Sequence, residues 1–207
     1  MMYYFSQTWA SDNTDAISRL KIQYGTSLQM PPLFITSHIS ASPNHQLART
    51  SPLRFRENVC IPFNMGYELN LLALNDQELA QIAAQCEHYR SIRHLVQFGI
   101  FSRLASPFEG NTCAWQTASR DGTEVLIWYY KPYAEPEEAY IRVYPVGLDP
   151  HASYTDQISG KQIQGSMAMQ LGLTIDWKNG DHFTQMWHLK KVSKIDCSCK
   201  KEQQTAP

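Results

Sequence analysis

Two carboxylates near the start of the chain, Asp12 and Asp15, are candidates for general acid–base or nucleophilic chemistry. Apolar spacing and polar capping residues predict a helix from Thr14 to Leu28, and the two carboxylates lie at its start. Asp12 could therefore cap this helix, and Asp15 could place a favourable charge in its first turn. The residues alone favour these structural roles and leave a catalytic role for Asp12 open.

Five further side chains could take part in binding. Trp9 could stack on a sugar ring or pack beneath the loop, and neither role is favoured. His38 and His45 are expected to hydrogen-bond a polar loop rather than to contact a ligand. Lys21 and Arg49 could bind hydroxyl or carboxylate groups, but solvated surface positions are expected for both.

The elements that would carry these residues alternate between helices and short apolar strands. After the first helix, the pattern predicts a strand over Leu33–Thr36, a helix over Pro52–Cys60, a strand over Tyr67–Leu69 and a helix from a capping box at Asn75 to Gly99. This alternation predicts a parallel α/β arrangement. Only two or three such units fit before Pro107, which is too few to close a barrel.

After Pro107 the pattern changes to strands and turns. Alternating or apolar residues predict strands over Cys113–Ala118, Glu124–Tyr130, Tyr140–Tyr144 and Phe183–Leu189. The first two strands flank Arg120-Asp121-Gly122, which is a strong hairpin signal. We expect an antiparallel sheet or sandwich of about 90 residues. The aromatic residues, 12% of the chain, are better explained as its core than as sugar platforms.

Composition excludes several classes of protein. Lys and Arg number 18 against 19 Asp and Glu, and this near-balance argues against nucleic-acid binding or a polybasic membrane surface. No apolar run approaches the roughly 20 residues of a transmembrane helix, and the first residues do not resemble a signal peptide. The odd number of cysteines, 5, favours reduced thiols and a cytoplasmic protein. Cys197 and Cys199 could supply only two metal ligands, so no metal site is predicted.

Seven segments match, in order, the motifs of one enzyme family. The first contains Trp9 and Asp12 in a W-x-S-D-[DN]-T-D pattern, and the second begins at Arg19 and reads R-L-x-I-Q-Y-G-T-S. The others are Ser37–Gln46, which is similar to S-H-V-S-x-x-P-N-H-Q, and Asn64–Leu69, Ile92–Gly99, Ser106–Asn111 and Gly147–Pro150. On these motifs the chain resembles the glycoside hydrolase family 36 α-galactosidases over nearly all of its length.

The resemblance implies an α/β part followed by an all-β part. Residues 1–104 would form the incomplete C-terminal part of a (β/α)8 TIM barrel, and residues 105–192 an antiparallel β-sandwich domain. Residues 193–207 are a polar tail that we expect to be disordered. An incomplete barrel accounts for the small number of α/β units.

The resemblance also implies a retaining glycosidase that acts on terminal α-galactosides such as raffinose-type oligosaccharides. Asp12 matches the general acid/base of the family, and no metal or organic cofactor is implied. The family's nucleophile is the Asp of a Lys-Trp-Asp segment, which this sequence lacks. Asp176-Trp177-Lys178 has the reverse order, and a glycine-rich segment of the sugar subsite is also missing. The chain alone is therefore predicted to be inactive, with self-association or a complementing N-terminal fragment as its possible partners.

A non-catalytic module that binds carbohydrate or a partner protein is the alternative. It would require exposed aromatic side chains in the β-domain, with Trp115, Trp128 and Trp187 as the candidates. The alternation of these residues along the predicted strands instead favours positions in the core.

Overall fold

Strands and helices alternate in the first part of the molecule. The computed structural model describes Tyr4 and residues 6–136, 141–176 and 180–192. Within those residues a parallel sheet has the order β1-β2-β3, formed by β1 (Thr8–Trp9), β2 (Ile35–Ser40) and β3 (Asn64–Glu68). The helices that follow these strands are α1 (Ala16–Ser27), α2 (Leu53–Cys60) and α3 (Asp76–Phe98). The predicted parallel α/β arrangement is confirmed.

Local capping signals explain where the helices begin. Asn75 and Glu78 form the predicted capping box at the start of α3, with reciprocal bonds of 2.9 and 3.1 Å between side chain and backbone. The α1 helix begins two residues later than predicted, because Asp15 has extended backbone angles and acts as its N-cap. The strand predicted at Leu33–Thr36 also begins later, because Pro32–Phe34 forms a 3₁₀ turn ahead of β2.

The second part of the molecule is an antiparallel sheet. Its elements are β4 (Ile100–Ala105), β5 (Cys113–Ala118), β6 (Glu124–Lys131), β7 (Arg142–Val143), β8 (Ser153–Asp156), β9 (Gln162–Gln164), α4 (Gly165–Leu171), β10 (Leu173–Thr174) and β11 (Phe183–Lys191). The described strands form a sheet of order β4-β5-β6-β11-β8-β9 and a separate β10-β7 pair. The predicted β5–β6 hairpin is confirmed. Of the strand predicted over Tyr140–Tyr144, Tyr140 lies outside the described residues, and the described part forms only β7.

Both faces of the large sheet are buried at its central strands β5 and β6. On one face Trp115, Trp128 and Tyr130 pack with residues of α1, α2 and β2, and Phe63 contacts the Trp115 ring at a centroid distance of 5.3 Å. On the other face Ile127 packs in a second cluster with residues of β7, β10 and α4. The aromatic residues of the strands therefore belong to the core, as expected. The sheet begins with β4, before residue 105, while the domain boundary itself remains a prediction.

Three cysteines in the described part of the chain, Cys60, Cys86 and Cys113, are free thiols. Burial raises the pKa of Cys60 to about 11, so this thiol stays protonated at neutral pH. No helix among the described residues is long and apolar enough to cross a membrane. The predicted disordered tail, residues 193–207, and the Cys197/Cys199 pair lie outside the described residues.

Candidate active site

The carboxyl ends of the three parallel strands meet at one edge of the first sheet. The loop of residues 10–15, which follows β1, carries Asp12; the loop of residues 41–52 follows β2; and Glu68 ends β3. Because parallel strands share a direction, both loops and Glu68 lie at the same edge. This is the edge at which α/β barrels hold their catalytic groups.

The two candidate carboxylates have opposite environments. The Asp15 side chain is only 1% exposed, and it accepts hydrogen bonds of 2.9 Å from the backbone N–H and the hydroxyl of Ser18. It also forms an ion pair with Arg49. Asp12 is exposed, and within the described part of the chain its carboxylate has no hydrogen-bonding partner. Asp15 is therefore the helix cap, and Asp12 is free to contact a ligand.

Buried polar side chains hold the backbone on both sides of Asp12. Arg19, which is 2% exposed, donates to the carbonyl of Ser11 at 3.1 Å and to that of Thr36 at 2.9 Å. Ser40 donates to the carbonyl of Thr14 at 3.2 Å. The loop that presents Asp12 is thus fixed, while its carboxylate faces solvent.

Trp9 lies beside a histidine and a carboxylate on one face of the parallel sheet. Its side chain is 60% exposed, and its ring contacts His38 edge-on with centroids 4.4 Å apart. His38 Nδ1 lies 3.3 Å from a carboxylate oxygen of Glu68. Burial lowers the pKa of His38, although the charge of Glu68 opposes this shift. Within this chain Trp9 is therefore more than half exposed, and its contact with a sugar stays a prediction.

Gly66 creates the space for this arrangement. It lies opposite His38 in the β2–β3 register, and a Cβ atom there would be 3.3 Å from Cδ2 of the imidazole. His38 thus lies on a strand and not in a loop, which corrects the expectation from the sequence. The glycine and Glu68 fall in a segment that matched the family, but nothing in the residues alone linked them to Trp9.

Of the three remaining candidate residues, two lie at the surface, and the third forms an ion pair with a buried carboxylate. His45 is exposed in the loop of residues 41–52. The Lys21 ammonium lies 5.7 Å from the centre of the exposed Phe108 ring, a cation–π contact at the surface. Arg49 was expected to be solvated, but it pairs with a buried carboxylate instead. The described residues hold no cluster of three or more His, Cys, Asp or Glu side chains arranged to bind a metal ion.

Comparison with known proteins places both parts of the chain in the same family. A sequence profile of the Melibiase family matches residues 1–99, and that of the glycosyl hydrolase family 36 C-terminal domain matches residues 112–189. Alpha-galactosidase AgaA of Geobacillus stearothermophilus is 44% identical over 195 residues, which cover 93% of this chain and 26% of that protein. Alpha-galactosidase 1 of Pediococcus pentosaceus is 38% identical over 195 residues, which also cover 93% of this chain and 26% of that protein.

The fold agrees with these matches. The crystal structure of a doubly substituted AgaA in complex with raffinose has a TM-score of 0.90 to this chain at 42% identity, covering 93% of this chain and 27% of that one. The chain spans about a quarter of the length of the curated relatives that it matches. It therefore belongs to the glycoside hydrolase family 36 α-galactosidases and matches the C-terminal portion of that family.

Proposed function

We propose that this chain supplies the general acid/base, Asp12, of a retaining α-galactosidase that acts on terminal α-galactosides such as raffinose. The observation that carries the proposal is an exposed carboxylate on a fixed loop at the carboxyl end of a barrel strand. The raffinose bound to the Geobacillus relative supports the substrate class. Trp9, exposed on the preceding strand, is proposed to contact the sugar.

Asp12 acts twice in such a mechanism. In the first step its protonated carboxyl donates a proton to the glycosidic oxygen while a second carboxylate attacks the anomeric carbon. In the second step the Asp12 carboxylate accepts a proton from the water that hydrolyses the galactosyl-enzyme intermediate. The two carboxyl groups of a retaining enzyme lie about 5–5.5 Å apart, which places the nucleophile close to Asp12 in the complete site.

The nucleophile is proposed to come from polypeptide outside these 207 residues, because they contain no Lys-Trp-Asp segment. Three parallel strands also leave most of a (β/α)8 barrel to be supplied. We therefore expect no turnover by this chain alone. The alternative is a carbohydrate-binding β-domain. Its candidate residues for stacking on a sugar, Trp115, Trp128 and Trp187, are all buried and cannot contact one.

The proposal is tested by the release of a chromogenic phenol from an aryl α-galactoside. The assay compares this chain alone with a mixture of the chain and the part of AgaA that precedes the matched region, and a mixture of both AgaA parts is the positive control. We expect turnover by the mixture only, and its loss in Asp12→Asn. Asp121→Asn, a change of the same kind in the exposed β5–β6 turn, should have no effect.

Turnover by the chain alone would contradict the proposal. Full activity of the mixture that contains Asp12→Asn would also contradict it. The proposal would fail as well if the mixture with this chain were inactive while the two AgaA parts together were active.

A further inference from the structure

The loop that carries Asp12 is held by the loop that follows the next strand. We call residues 10–15 the acid/base loop and residues 41–52 the β2–α2 loop. Asn44 donates to the Thr14 hydroxyl at 3.2 Å, and Gln46 lies 3.5 Å from the Asp12 carbonyl. Arg49 forms the ion pair with Asp15. The β2–α2 loop thus contacts the acid/base loop at three successive points.

The Arg49–Asp15 pair is the charged contact among the three. A carboxylate that is almost completely removed from water needs hydrogen bonds and an opposite charge to remain ionised without a large cost. Ser18 provides two hydrogen bonds, and the guanidinium of Arg49 provides the charge. Because Asp15 ends the acid/base loop and caps α1, this pair fixes the point at which the loop joins the helix.

The β2–α2 loop is itself well supported, so Arg49 extends from a fixed base. Asn44, which is 4% exposed, accepts hydrogen bonds of 3.0 Å from the backbone N–H groups of Gln46 and Leu47. Its own N–H donates to the Arg49 carbonyl at 2.9 Å. Further along, the buried Arg56 donates to the Ser51 carbonyl at 3.2 Å. The position of Arg49 is therefore determined by the fold and not by Asp15 alone.

We propose that Arg49 is a positioning residue for Asp12, acting through Asp15 to hold the acid/base loop in a single conformation. The inference rests on the proposed function, because it assigns to Arg49 a role toward the proposed acid/base. A general acid must reach the leaving oxygen at hydrogen-bonding distance, and a loop that samples other conformations reduces the fraction of time in which it does so. Asp12 donates or accepts the proton, and Arg49 contacts neither Asp12 nor the sugar.

The first test measures hydrogen exchange of this chain by mass spectrometry, which requires no activity. Arg49→Met removes the charge and keeps the apolar stem, and Arg54→Met makes the same change at an exposed position of α2. In Arg49→Met we expect exchange in residues 10–18 to become roughly tenfold faster, while exchange in α3 stays unchanged. Arg49→Lys should restore most of the protection, and Arg54→Met should match the unchanged chain.

A second variant answers the same question if Arg49→Met does not fold. Asp15→Asn keeps a good N-cap for Ser18 and removes only the charge that Arg49 pairs with. We expect the same local increase in exchange over residues 10–18. Unchanged exchange there, or an equal increase in α3, would overturn the proposal, because the pair would then not hold this loop specifically.

The kinetic test uses the mixture with the AgaA part. Arg49→Met should lower kcat by roughly tenfold and change KM less than threefold, because binding groups stay in place while proton transfer is misaligned. Arg49→Lys should recover most of the lost kcat. An unchanged kcat, or a rise in KM alone, would contradict positioning. If the unchanged mixture is inactive, the proposed function fails, and the exchange experiment still decides whether Arg49 holds the loop.

Discussion

Phe63 connects the two parts of the molecule, and its removal gives the most informative stability prediction. The side chain is 0% exposed and lies between α2 and β3, yet its ring meets Trp115 of β5 at 5.3 Å and Phe101 of β4 at 5.8 Å. A buried Phe→Ala change costs about 3–5 kcal/mol, because apolar contacts are lost and a cavity remains. For a chain of about 200 residues, this corresponds to a fall in Tm of roughly 6–20 °C.

The assay follows Phe63→Ala by two signals during thermal unfolding. Circular dichroism at 222 nm reports mainly on α1, α2 and α3, whereas the near-ultraviolet signal includes the buried indoles of Trp115 and Trp128 in the sheet. Both should shift downward together, because the ring is shared by one core. Phe98→Ala, at a side chain that is 69% exposed, should change the free energy of unfolding by less than about 0.5 kcal/mol. Earlier loss of the helical signal with an unchanged near-ultraviolet transition would refute this reasoning.

Four further predictions concern single residues and are measured by urea unfolding. Asp12→Asn should leave the free energy of unfolding within about 0.5 kcal/mol of the unchanged chain, because this exposed carboxylate has no hydrogen bond to a described residue. Gly99→Ala should cost about 2 kcal/mol or more, because its Cβ would lie 2.4 Å from a carbonyl oxygen of α3 and 2.7 Å from one of β5. Gly25 lies inside α1 with open space around a Cβ atom, so Gly25→Ala should instead raise the free energy of unfolding by about 0.5–1 kcal/mol. A lower free energy of unfolding in Gly25→Ala would contradict the argument that the space around the Cβ atom decides the effect. Burial lowers the pKa of His188, so the folded state binds fewer protons and stability should fall from pH 7.5 to 5.5, through the usual range of histidine. His188→Gln should weaken this dependence, and an unchanged slope would contradict the assignment.

Elements with strong local signals were predictable from the sequence. The α3 capping box and the β5–β6 hairpin depend on residues within a few positions of one another, so their types and spacing were sufficient. Short elements such as β8, β9 and α4 were not predicted. They carry few residues each, and distant elements hold two of them in place: β8 pairs with β11, and Ala168 of α4 packs in the cluster that contains Trp187.

The candidate active site likewise has features that were predictable from the sequence and features that were not. The position of Asp12 at a strand end followed from the motif, but the expectation that Asp12 caps α1 and Asp15 lies in its first turn was wrong, because Asp15 is the N-cap. The ion pair between Asp15 and Arg49 was not predicted either, because Arg49 is distant in sequence and reaches Asp15 only in the folded chain. The contact between Trp9 and His38 likewise depends on the register of β1 with β2 and on the space left by Gly66. Periodicity within one segment cannot reveal such contacts.

The role of Asp12 is tested most directly by azide rescue in the mixture with the AgaA part. Asp12→Ala should slow hydrolysis of an aryl α-galactoside, because the step that needs a general base becomes limiting. Azide attacks without base assistance, so it should restore turnover and give α-galactosyl azide, in which the anomeric configuration is retained. Formation of β-galactosyl azide would identify Asp12 as the nucleophile. A hydrolysis rate unaffected by Asp12→Ala would show that this carboxylate takes no part in catalysis.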